Sequence, residues 1–361
     1  MTTEDNGTVT TVLGPVESAS LGPTLTHEHL FCDNYPKWNE PDAHSPATRR
    51  QLAEAKFSLE LLDEIRRAPL DTIKDNLILA DAEVATKEAM EFKIFGGGTI
   101  VDLSNVGLGR DPLGLVRVSR STGLHVVAGC GYYVKLSHPP EVSKESERRL
   151  TNKIVNDIVE GIQGTSVKAG IIGEIGVSYN PHPDEKKVLR ASCAAQKKTG
   201  APISLHCSRL SKDDYLQLLE IIEGEGCSPE RVIFGHLDRT TDGKIDVPLH
   251  KIIAKRGAYV QYDGFGSESY FSVHGAMFQN PQDYSRVEAI SELKKAGMLS
   301  RVLISHDIYL KHHLRSYGGW GYAHILKTVV PMFKLQGFDD GEVNKILVDN
   351  PAAALVKVVE K

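Results

Sequence analysis

Short apolar runs rich in β-branched residues alternate along the chain with longer stretches whose apolar residues recur at helical spacing. The first kind reads as buried parallel strands and the second as amphipathic helices, so their alternation is the rhythm of repeated βα units. Eight strands are predicted, over 23–29, 99–104, 125–130, 169–175, 202–206, 231–236, 258–262 and 301–307. Helices are predicted between them, over 47–67 and 78–92, then 115–122, 147–161, 185–199, 215–223, 249–255 and 284–296. A helix over 328–335, bent or started at Pro331, and a terminal helix over 341–359 follow the last strand. Eight parallel strands each followed by a helix describe an α/β fold of the (β/α)8 TIM-barrel type.

No Pro/Gly/Ser-rich linker or shift in composition divides the chain, so residues 1–361 read as one domain. Residues 1–22 form an N-terminal extension, loose at first and then a short strand or hairpin from Thr8 to Leu13. The stretches 263–283 and 308–323 are too long for plain connections and read as lids over a site. The triplet Gly96-Gly97-Gly98 precedes a strand, so it reads as a helix stop and not a phosphate loop.

Composition narrows the classes of function. A formal charge of −5 spread over 361 residues, with signs interspersed, leaves no footprint for nucleic acid and no polybasic membrane patch. A small-molecule substrate is expected, and a homodimer is compatible with the composition. No apolar run approaches the roughly 20 residues of a membrane span, and Met1 to Val12 lack the regions of a signal peptide. Five widely spaced cysteines with no Cys-x-x-Cys pair read as reduced thiols, which with these absences predicts a cytosolic location.

The chemistry lies where the strands end. His27-Glu28-His29 closes the first strand, and alternation puts the two imidazoles on one face with Glu28 on the other. The fourth strand carries Glu174 near its end, the fifth closes on His206, the sixth on His236 and the eighth on Asp307. In a barrel these carboxyl ends converge on one mouth. Four imidazoles and two carboxylates are a ligand mixture suited to zinc and its first-row neighbours. A catalytic zinc keeps about three protein ligands and an open position, so six ligands exceed one site and fit two ions. Glu174 would bridge, with His27, His29 and Asp307 on one ion and His206 and His236 on the other. Water held between two cations has a pKa of roughly 7, and Asp307 could accept its proton and pass it to a leaving group.

These residues, with Gly-Pro-x-x-x-His-Glu-His-Leu, Gly-His-Leu-Asp-Arg-Thr, Gly318 to Ile325 and Asn350-Pro351, resemble the amidohydrolase superfamily and its phosphotriesterase family. The resemblance covers nearly the whole chain and is nearest to the animal phosphotriesterase-related subfamily. Organophosphate-hydrolysing and lactonase members place a carbamate-forming lysine where this chain has Glu174, and Lys168, six residues earlier, is no substitute. The resemblance implies two divalent metals per subunit, zinc first, with manganese, cobalt or nickel as alternatives. It also implies cleavage of small N-acyl compounds, notably N-acetyltaurine to taurine and acetate, and N-acetyl amino acids.

A sulfonate or carboxylate on such a substrate needs a cationic partner. Arg239 is the first candidate, Arg110 and Arg315 weaker ones, and each has an ordinary salt bridge as its alternative. Tyr132 and Tyr133 could line the pocket and hold an oxyanion, or simply pack. Asp238 suits a proton relay or a helix cap equally well. Three classes of function remain: a dinuclear metal amidase, a lactonase or phosphotriesterase using the same site, and a non-catalytic metal-binding barrel.

Overall fold

The computed structural model describes residues 7–41, 45, 47–207, 209–239 and 242–358. Its eight parallel strands are β1 (Thr24–Glu28), β2 (Thr99–Asp102), β3 (His125–Cys130), β4 (Ile171–Gly176), β5 (Ile203–His206), β6 (Val232–Phe234), β7 (Tyr259–Tyr262) and β8 (Val302–Ile304). Each pairs with the next in sequence order. Asp307 N donates to His27 O at 3.1 Å and His27 N to Ser305 Oγ at 3.0 Å, which joins the segment after β8 to β1. A helix follows every strand: α1 (Ala82–Ile94), α2 (Pro112–Thr122), α3 (Glu147–Val159), α4 (Pro183–Thr199), α5 (Lys212–Gly224), α6 (Val247–Lys255), α7 (Asp283–Lys295) and α8 (Val330–Leu335). The result is the TIM barrel that the alternation of patterns predicts.

Three helical expectations change. The helix expected over 47–67 is two, Ala47–Leu52 and Leu62–Arg67. Asp75 accepts from Phe57 N at 3.0 Å and from Lys56 Nζ at 3.0 Å, which pins the chain between them in a non-helical path. The helix expected from Ile78 starts only at Ala82, because Ile78–Leu79 pairs antiparallel with Cys32–Asp33 and Asp81 caps the helix at Glu83 N and Val84 N. Before both Pro331 and Pro351 the helix widens into a π turn, Ile325–Val329 and Lys345–Asp349. Each proline removes an N–H and crowds the carbonyl four residues back, which falls inside the widened turn. The terminal helix ends at Leu355; its expected end at Val359 lies outside the described residues, as does the expected loose start over 1–6.

The lower end of the barrel is closed. Residues Thr8–Thr11 and Gly14–Glu17 form an antiparallel hairpin. Val9 and Leu21 from this segment and Leu355 from the terminal helix pack on the inward-facing Val101, Val127, Ile171 and Leu303. Fully burying one such side chain is worth about 1.5–3 kcal/mol. The extension is therefore a plug that belongs to the core, and it leaves the carboxyl ends of the strands as the open face.

Candidate metal centre

Two irregularities in the sheet aim the chemistry inward. Pairing of β1 with β2 slips between Leu25 and Glu28, and pairing of β4 with β5 slips between Ile172 and Ile175. A bulge shifts the phase of a strand and re-aims its side chains. Ile171 faces the interior while Ile172 and Ile175 pack in the layer outside it, so strict alternation would send Glu174 outward. The slip turns it in, where Asn105 Nδ2 donates to its carbonyl. His236 and Asp307 both adopt left-handed backbone conformations, with φ of 58° and 52°. Such conformations cost about 1–3 kcal/mol outside glycine and gather where function demands them.

The six predicted side chains meet at the mouth in two groups. His27, His29 and Asp307 offer ligand atoms within 4.8 Å of one another, and so do Glu174, His206 and His236. Glu174 lies between the groups: Oε1 is 3.4 Å from His29 Nε2, while Oε2 is 3.4 Å from His27 Nε2, 2.9 Å from His206 Nδ1 and 3.4 Å from His236 Nε2. Asp307 Oδ1 sits 3.1 Å from His29 Nε2 and 3.5 Å from His27 Nε2. His27 Nε2 is buried with no hydrogen-bond partner, an orphaned donor atom aimed at two carboxylates. An orphaned imidazole nitrogen within a set of imidazole and carboxylate groups fits a divalent cation.

The groups behind these atoms fix their orientation. Asp263, just past β7, faces His27 Nδ1 at 2.9 Å and His236 Nδ1 at 2.7 Å, leaving both Nε2 atoms for the site. Ser104 Oγ does the same for His29 Nδ1 at 2.9 Å. A metal-binding histidine characteristically has its second nitrogen held in this way. Asp263 also completes a third cluster with His27 and His236, but its oxygens are already engaged by the two Nδ1 atoms, so its geometry is that of a support. Glu28 faces away as expected, accepting from Ser305 Oγ, His306 N and Ile308 N at the seam of the barrel.

Charge within the cluster is closely balanced. Burial pushes the Asp307 carboxyl up, but Arg239 and His27 outweigh it and hold it below the usual carboxylate range. Burial likewise opposes ionisation of Glu174, and His27 and His206 overcome it. His29 is disfavoured as a cation by burial, yet the Asp307 and Glu174 carboxylates raise it to about 9. His206 goes the other way, pulled down to about 4 because burial prevails over its single close carboxylate.

A cavity of about 580 Å3 opens above this floor, lined in part by His29, Glu174, His206 and Asp307. Tyr133 lines it, its hydroxyl 3.3 Å from both ring nitrogens of His206. Tyr132 does not line it; that ring is buried 6.3 Å from His138. Arg239 lines the cavity and donates through Nη2 to Asp307 Oδ2 at 2.7 Å. Arg110 is instead tied to Asp157 and Arg315 to Glu91, both away from the cavity. Asp238 caps no helix and does not line the cavity: it accepts from Arg286 Nε at 2.6 Å and from Gly264 N at 2.9 Å, bracing the loop after β7. The stretches expected to be lids supply cavity wall, the first through the hairpin Tyr270–Val273 with Ala276–Gln279 and the second through Tyr309. Cys207 turns its thiol toward Gly235 O, 3.2 Å away, and burial pushes its pKa well up, which is the opposite of an activated nucleophile.

Two residues of the site escape the sequence reading. Asp263 has a signal in kind, a carboxylate just past the seventh strand, comparable to Glu174 near the end of the fourth and Asp307 after the eighth. Lys37 has none; its Nζ donates to Tyr133 Oη from the loop after β1, and burial lowers its ammonium pKa while Glu174 and Asp307 oppose that.

Known proteins resemble this chain over nearly its whole length. Residues 7–355 match the model of the phosphotriesterase family. An N-acetyltaurine hydrolase from Dictyostelium discoideum is 37% identical over 98% of this chain and 99% of its own length. The N-acetyltaurine hydrolase of Homo sapiens is 36% identical over 96% of this chain and 97% of its own. Among solved structures, a resiniferatoxin-binding protein from Rhodobacter sphaeroides superposes with a TM-score of 0.91 at 36% identity, covering 98% of this chain and 96% of that one. With matches that span nearly its entire length, the chain belongs to the phosphotriesterase family of hydrolases.

Proposed function

We propose that this chain hydrolyses the amide bond of N-acyl compounds that carry an anionic group, N-acetyltaurine and N-acetyl amino acids among them. The observation that carries the reading is the placement of Glu174 between two clusters of histidine and carboxylate groups, at the floor of a cavity in a chain 36% identical to an N-acetyltaurine hydrolase. The donor set suits two divalent cations, zinc first, then manganese, cobalt or nickel. His27, His29 and Asp307 would hold one, His206 and His236 the other, and Glu174 both. Bound cations would polarise an acyl oxygen and bring the pKa of water held there to roughly 7.

The chain's own residues carry the remaining steps. Tyr133, beside His206, is placed to donate to the acyl oxygen as it gains charge, with Lys37 holding the phenol in position. Asp307 orients the attacking water, takes one of its protons and delivers it to the departing nitrogen. The water oxygen bonds to the acyl carbon, the C–N bond breaks, and the second water proton follows to the nitrogen, so that a carboxylate and an ammonium ion leave. Arg239 sets the direction of the Asp307 carboxylate through Oδ2 and offers positive charge to an anionic substrate. A cytosolic location belongs to the same proposal, and the five buried free cysteines support it.

The test is a parallel assay of metal-reconstituted protein on N-acetyltaurine, a lactone and an organophosphate triester. Release of taurine and acetate is the expected result. Turnover of the lactone or the triester with the amide untouched would transfer the site to those reactions, and no turnover of any would make it a binding site.

A further inference from the structure

The cavity wall carries an apolar arc beside a cationic one, and Phe271, Val273 and Phe278 from the loop after β7 add a second apolar stretch. The loops after neighbouring barrel strands are themselves neighbours, so loops after β2, β3 and β4 form one arc of the mouth and loops after β5 and β6 the next. The first arc contributes Leu108, Val134, Leu136, Val177 and Tyr179 to the cavity wall. The second contributes Arg209 and Arg239. An acetyl group is too small to use the first arc. A cavity of about 580 Å3 lies within the roughly 300–1,000 Å3 that encloses drug-sized ligands. At about 30 Å3 per water it has room for on the order of twenty waters, most of which a molecule as small as an N-acetylated aminosulfonate would leave in place.

Leu136 and Tyr179 sharpen the point, because they are 65% and 76% exposed while lining the same cavity. Large apolar side chains grouped at the rim of a site that continues inward to buried Leu108 and Val177 are the mark of a surface that an apolar ligand covers. Arg209 presents the opposite character: its guanidinium packs 4.7 Å from the Phe278 ring centroid with Nη2 3.4 Å from Asn280 Oδ1. That planar group is suited to a sulfonate or carboxylate.

Resting on the amidase reading above, we infer that the preferred substrates are anionic N-acyl amines whose acyl chain is longer than acetyl. The chain lies along the Leu108, Val134, Leu136, Val177 and Tyr179 arc, and the anion is received by Arg209 across the metal floor. Chain length is then read by burial, and each methylene removed from water raises kcat/KM about three- to fourfold until the arc is filled.

The experiment measures kcat/KM of the metal-loaded full chain on N-acetyl-, N-butanoyl-, N-hexanoyl- and N-octanoyltaurine. The expected result is a rise of about two orders of magnitude from acetyl to hexanoyl. A flat series, or one that falls from acetyl onward, overturns the inference while leaving the amidase reading intact. If no member is hydrolysed, the amidase reading fails, and calorimetric titration with the same compounds still decides the pocket: affinity that climbs with chain length supports the acyl arc, and equal affinity overturns it. Leu136→Glu, at an exposed rim position, is expected to pull the hexanoyl-to-acetyl ratio toward one; an unchanged ratio removes Leu136 from the chain's path. Arg209→Gln is expected to lower kcat/KM at least tenfold for N-hexanoyltaurine but not for neutral N-hexanoylethanolamine, and equal losses on both would overturn its assignment as the anion receptor.

Discussion

The two ligand groups at the mouth differ in how they are held. In the first, His27 is backed by Asp263, His29 by Ser104 and Asp307 by Arg239, and no side chain of the three is more than 6% exposed. In the second, His236 shares Asp263 with His27, but His206 is 17% exposed and, among the described residues, the hydroxyl beside it, that of Tyr133, belongs to the cavity wall. On the proposed reading, the first group would keep an ion and the second would meet the substrate. Two neighbouring ligand groups need not be held alike: buried orienting groups would favour retention of a cation, and an exposed histidine with looser support would leave access for substrate.

The largest effect is expected where the buttressed group touches the chemistry. Asp307→Asn keeps the shape of the side chain but removes its basicity, and kcat is expected to fall by about two or more orders of magnitude with circular dichroism unchanged. Near-normal turnover would remove Asp307 from proton transfer. Glu174→Gln strikes both groups, so metal content measured by mass spectrometry after reconstitution is expected to drop for both ions; full occupancy would show that Glu174 does not bridge. Asp263→Asn disturbs His27 and His236 together, and metal affinity is expected to weaken about ten- to a hundredfold. The asymmetry itself is tested by setting His206→Asn beside His27→Asn. The first should lose one ion and retain the other, the second should weaken the tighter ion, and identical losses would break the comparison.

The smallest effect lies outside both groups. Burial pulls His250 down to about 4 and His312 to about 3, whereas an unfolded chain protonates histidine near 6.5. Between roughly pH 6.5 and 4 the unfolded state binds more protons, so these residues make folding stability fall as pH drops through that window. Urea unfolding midpoints measured across it should decline with acidification, and His250→Asn should flatten part of the slope.

Much of the site was legible because each of its six principal side chains lies at or near the carboxyl end of a strand whose apolar run is plain in the sequence. Asp263 follows the same rule but stands one residue past its strand, where the chain already reads as the start of a loop. The inward aim of Glu174 was less legible, since it depends on a slip between Ile172 and Ile175 that strict alternation does not foresee. Lys37 was not legible at all: only the path of the loop after β1 brings its ammonium to Tyr133. The helices were misread where a distant side chain, Asp75, or a pairing with Cys32–Asp33 overrode local periodicity.

The proposed function requires that two cations held across Glu174 serve one amide-hydrolysing site. Its most direct test is stepwise return of zinc to chelated protein while N-acyltaurine hydrolysis is followed at each addition. Two ions are expected to bind per chain, with activity rising chiefly as the second equivalent enters. Full activity in metal-free protein, or binding that saturates below one ion per chain, would contradict it.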